Sequence, residues 1–64
     1  MPSQVLKDIA ADFKRVDPAI AEAEELIAAM REAGEDTVSM EAELRVLKTR
    51  KTKWERMLKA RGLV

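Results

Sequence analysis

The chain contains no cysteine, no histidine and no tyrosine, and only one phenylalanine and one tryptophan. Without cysteine there is neither a disulfide nor a thiolate ligand. Without histidine the usual zinc, haem and iron–sulfur ligand sets are missing as well, and the remaining carboxylates suit only hard cations. No Gly-rich phosphate loop is present, and Ser3 and Ser39 have no base near them in sequence. The expectation is a protein that is not an enzyme, with no cofactor and no metal. No apolar run approaches the roughly 20 residues of a membrane span, and the first residues lack the basic-then-apolar layout of a signal peptide. No membrane association and a cytoplasmic location are expected. No motif assigns the chain to a known family.

What remains is a 64-residue chain rich in Ala, Glu, Lys, Arg and Leu, the composition of long helices and coiled coils. Strand formers are too few for a sheet. One helical domain over 1–64 is the expectation. A core this small is commonly reinforced by a disulfide, a metal or self-association, and only the last fits this composition.

Glycine and proline occur twice each and punctuate the chain. Ser3 can cap a first helix over about 4–15, with Val5, Leu6, Ile9, Phe13 and Val16 on its apolar side. Asp17-Pro18 then reads as a helix start, since Asp caps well and Pro favours the first helical position. Numbering a heptad with Leu6 at a places Leu6, Ile9, Phe13, Val16, Ile20, Ala23, Ile27 and Met30 at a and d, and that phase passes through Pro18 unchanged. Either a break or a kink in one continuous helix joins the segments at Asp17-Pro18. The second helix covers about 18–33. Gly34 sits where a left-handed cap belongs, Asp36, Thr37 and Ser39 can cap the next helix, and that helix runs over about 39–60. A turn so short joins antiparallel neighbours, so the fold class is an all-α, antiparallel helical hairpin.

In the last helix, with Leu44 at a, the stripe reads Met40, Leu44, Leu47, Lys51, Trp54, Leu58 and Arg61. Folding at the turn sets it against the first stripe along its full length, in the manner of an antiparallel coiled coil. Leu44 and Leu47 are expected in the core. Lys51 is expected to lay its stem on Ala23 or Ile20 and reach Glu24 with its amine. Trp54 either fills the core near Phe13, Val16 and Ile20 or anchors an interface.

The net charge of zero conceals a segregation. Residues 17–43 carry nine acids against Arg31 alone, and residues 44–64 carry eight bases against Glu55 alone. Glu22, Glu24 and Glu25 are expected beside Lys48, Arg50, Lys51 and Lys53. The hairpin should then be a rod with a negative tip at the turn and a positive tail.

Val5, Ala19, Leu26 and Ala33 occupy g positions and widen the stripe beyond a two-helix seam, as Met57 does on the last helix; a wider stripe implies further neighbours. Val5, Leu26, Trp54 and Met57 are the candidate interface. Lys14, Arg15, Lys53, Arg56, Lys59 and Arg61 are candidates for an anionic partner, although they surround the helix and no aromatic platform accompanies them. The expected function is a helical interaction module: a homodimer, adaptor or accessory subunit of the kind often encoded by phage and mobile elements. The alternatives are a small nucleic-acid-binding protein using the basic helix, or an inhibitor that docks a helical face on a larger protein.

Overall fold

The computed structural model describes residues 3–64, which form α1 (Gln4–Phe13), α2 (Val16–Glu32) and α3 (Val38–Ala60) with no strand among them. α2 and α3 form the expected hairpin, and α1 prolongs α2 through a bend at residues 14–15. The result is a rod of 52 × 15 × 14 Å.

Glycine sets the turn. Gly34 adopts φ +82°, a conformation that costs glycine nothing and other residues strain. Its N–H donates to the Arg31 carbonyl at 3.0 Å, and the Glu35 N–H donates to the Met30 carbonyl at 2.9 Å. These two bonds satisfy carbonyls that the end of α2 would otherwise leave open. Across the turn, Asp36 Oδ1 accepts from the Val38 N–H at 3.0 Å and opens α3. Thr37 occupies the N-cap position of α3 and Ser3 that of α1, in both cases without a side-chain capping bond. α3 ends on the same device as α2. Gly62 has φ +71°, its N–H donates to the Lys59 carbonyl at 3.0 Å, and the Leu63 N–H donates to the Leu58 carbonyl at 2.9 Å.

The bend between α1 and α2 lies at Lys14–Arg15, upstream of Asp17-Pro18, and Arg15 rather than Asp17 is the N-cap of α2. Proline explains the displacement. It has no N–H to give the carbonyl four residues earlier, here Lys14, and its ring crowds that carbonyl. The regular ladder lapses there: the Arg15 N–H donates to Asp12 at 3.0 Å, and the Ala19 N–H returns to Arg15 at 3.2 Å. Pro18 itself falls in the first turn of α2, where an N–H would lack an intrahelical partner in any case. Lys14 and Arg15 keep right-handed helical backbone, so the chain bends without looping and the heptad phase survives.

All eight a and d residues of α1 and α2 are sheltered. Ile20 and Ile27 are buried, and Leu6, Ile9, Phe13, Val16, Ala23 and Met30 are half-buried. α3 departs from expectation. Leu58 has no solvent exposure and Leu44 is half-buried, but Leu47 is 40% exposed and Trp54 43% exposed. Leu47 is therefore not a core residue, and Trp54 does not fill the seam. Glu41, Lys51 and Glu55 are half-buried instead. α3 is turned so that its a row and the e residues Glu41 and Lys48 lie toward α2, where Arg31 and Glu24 pair with those two, and the d residues Leu47 and Trp54 are left at the margin. The buried core consists of Ala10, Ile20, Ile27 and Leu58, and a fully buried Leu contributes about 1.5–3 kcal/mol relative to an exposed one.

Candidate interaction surface

The seam has two unlike edges. Asp17, Glu24 and Arg31 recur every seven residues at e on α2, a spacing that keeps them on one side of the helix. Lys48 Nζ lies 3.4 Å from Glu24 Oε1. Arg31 pairs with Glu41, and Lys51 pairs with Asp17. The expected reach of Lys51 to Glu24 is thus replaced by Asp17, because Lys48 holds Glu24. Glu22 and Glu25 remain exposed and make no ion pair among the described residues. These pairs are solvent-exposed on at least one side, and each adds little stability. Together they close this edge with polar groups.

Two of these groups titrate away from their ordinary values. The Thr37 hydroxyl donates to the Glu41 carboxylate at 2.6 Å. That bond, followed by the one from Arg31, holds the Glu41 pKa below its ordinary 4.5. Asp17, by accepting from the Lys51 ammonium, raises the Lys51 pKa above its ordinary 10.5. Both shifts favour the charged forms. Thr37, at 6% exposure the one buried polar residue among those described, is sheltered beneath this network.

The other edge is open. Ile9, Phe13, Val16, Leu47 and Trp54 line a shallow groove of about 380 Å³, together with the charged Asp12, Arg50 and Lys51. A second hollow on α3, bounded by Ala42, Glu43, Val46, Leu47 and Arg50, shares Leu47 and Arg50 with the first. The g row of α2 adds Ala19, Leu26 and Ala33 by spacing. Leu26 is 52% exposed and Val5 66% exposed, while Met57 is half-buried. Of the four candidate interface residues, Trp54 lies in this groove, and Val5 and Leu26 are open to solvent. Glu43 and Arg50 are the charged g residues of α3; Arg50 was expected beside the acids of α2 but makes no ion pair among the described residues, and the seven-residue spacing of the two was the signal that they share this edge.

The six candidate anion-binding residues are all exposed. Lys14 and Arg15 sit at the bend. Lys53, Arg56 and Lys59 step about 60° around α3 at each interval of three residues, and Lys59 is engaged by Glu55 at 3.0 Å. They form no single stripe. Among the described residues no acidic cluster is arranged to hold a metal ion, and no helix is long and apolar enough to cross a membrane.

The arrangement defines a class, the all-α helical hairpin with one polar and one apolar edge. Compared with known family models, curated proteins and solved structures, the chain matches none.

Proposed function

We propose that this protein is a non-enzymatic helical interaction module, a self-associating adaptor or accessory subunit that works by packing helix against helix. The observation that carries the reading is the asymmetry of the seam. One edge is occupied by ion pairs made within the chain. The other presents Leu26, Leu47 and Trp54 to solvent at 40% or more. Two helices alone have no use for a stripe that wide, and an apolar edge along a rod is the surface another helix would cover. Burial would supply the affinity, with Trp54 as the natural anchor.

Salt separates this reading from binding of nucleic acid through Lys14, Arg15, Lys53, Arg56, Lys59 and Arg61. Apolar association should persist or strengthen as sodium chloride rises from 50 to 500 mM, whereas phosphate binding should fall by orders of magnitude. Sedimentation with and without a short duplex across that range tests both. Duplex binding that collapses with salt, in a chain that does not self-associate, would replace the module reading with the nucleic-acid one.

A further inference from the structure

We infer that the occupant of the open edge is a second copy of this chain, docked antiparallel about a two-fold axis between Val46 and Leu47, with Glu43 of each copy against Arg50 of the other. The inference rests on the interaction-module reading and adds to it the partner, the orientation and the register.

The charges on this edge are complementary to themselves. Glu43 and Arg50 border the same hollow on α3. They stand seven residues apart, about 10.5 Å along the helix, with Val46 and Leu47 midway between them. A two-fold axis at that midpoint carries Glu43 onto Arg50 at both ends at once, as an isologous interface requires. A parallel pairing would set Glu43 on Glu43 and Arg50 on Arg50. Neither residue makes an ion pair within its own chain among the described residues, although the charges at e on α2 and α3 do so repeatedly. Val46, 53% exposed, and Leu47, 40% exposed, become the apolar centre. Val46 is left open by the hairpin, and Leu47, which shares the groove with Phe13 and Val16, is covered by it only in part.

The wider charge distribution favours the same orientation. The turn is acidic through Glu32, Glu35 and Asp36, and the far end of α3 is basic through Arg56, Lys59 and Arg61. Antiparallel copies bring the acidic end of each toward the basic end of the other, which steers approach and disfavours the parallel alternative. Centred there, the two rods overlap over roughly 36 Å at 1.5 Å rise per residue, and with a rod width of 15 Å the contact falls at the small end of specific interfaces.

The test is sedimentation equilibrium of the full chain at several concentrations in moderate salt, with Glu43→Arg, Arg50→Glu and the double variant. Both side chains are exposed, so helicity by circular dichroism should match the parent in all three. The parent should sediment as a dimer. Each single reversal turns two attractions into two repulsions and should weaken dimerisation roughly tenfold, given the modest worth of exposed pairs. The double reversal restores opposite charges in the antiparallel register and should bring affinity back to within about twofold of the parent. A dimer indifferent to either single reversal would overturn this register while leaving self-association standing. A monomer mass at every concentration would overturn both, and would transfer the open edge to a partner of different sequence.

Discussion

Leu58→Ala should be the most damaging truncation in the chain, and its comparison with Leu47→Ala tests where the core lies. Leu58 has no solvent exposure, whereas Leu47 is 40% exposed. Cutting a buried Leu to Ala costs about 2–5 kcal/mol, transfer and cavity together. A domain of this length has a total stability of about 3–10 kcal/mol. Leu58→Ala should therefore remove a large share of it and lower Tm by roughly 10 °C or more, at about 4–8 °C per kcal/mol for a small domain. Leu47→Ala should cost about 1 kcal/mol or less, since much of its side chain is already wet. Urea titrations followed by circular dichroism give both values. A common slope against denaturant would show that the unfolded reference is unchanged. The runs need one low protein concentration, because association stabilises only the folded form and Leu47 lies on the associating edge. If Leu47→Ala proves as costly as Leu58→Ala under those conditions, the assigned rotation of α3 is wrong.

Leu26→Glu should weaken self-association measured by sedimentation while shifting the low-concentration melt by about 0.5 kcal/mol or less; an unfolded variant would show that Leu26 supports the hairpin itself. Gly34→Ala meets no steric obstacle, since nothing lies within 4 Å of the added Cβ, so its cost is the backbone strain at φ +82°, about 1–2 kcal/mol. A melt unchanged from the parent would mean the turn relaxes into another conformation. Glu41 has its folded pKa lowered, chiefly by the Thr37 hydroxyl, so its contribution is fully present above 4.5, the ordinary value, and is lost as pH falls through the folded value. Thr37→Val should flatten that part of the acid titration of stability, and an unaltered profile would assign the acid sensitivity to other carboxylates.

The first half of the molecule was legible because its apolar a and d residues have no competing row of comparable strength. Gly34 was equally plain, since a lone glycine between two periodic stretches has one economical use. α3 was harder to read. Its a and d positions are apolar apart from Lys51 and Arg61, so periodicity placed the d row in the core beside the a row. The charges at e on α2 turned the helix the other way, and that rotation depends on partners 10 or more residues distant. The bend was misplaced for a local reason: proline acts on the carbonyl four residues behind it, while the capping chemistry of Asp17 advertises a boundary at Asp17 itself. The Gly62-Leu63 cap carried a readable signal, a glycine followed by an apolar residue after a helix, and was missed. The partner of Lys51 depended on the same rotation of α3, which moves a long side chain from Glu24 to Asp17.

The order of the chain along the rod has a kinetic consequence. Residues near the turn meet partners close in sequence, such as Arg31 and Glu41, whereas Leu58 is buried at the end of the hairpin farthest from that turn. Closing a loop costs more as it lengthens, so pairing should start at Gly34 and zip toward the bend, and the rate should be fast for a topology this local. The most buried side chain would then be among the last to find its place. Leu58→Ala should raise the unfolding rate and leave the folding rate nearly unchanged, while a perturbation of the Arg31–Glu41 pair should slow folding instead. Stopped-flow or temperature-jump relaxation across urea would distinguish the two; a folding arm displaced by Leu58→Ala would mean the far end assembles first. Time spent open would therefore be concentrated at the bend and the C-terminal turn, and a protease should nick the folded chain there before it reaches the Gly34 end.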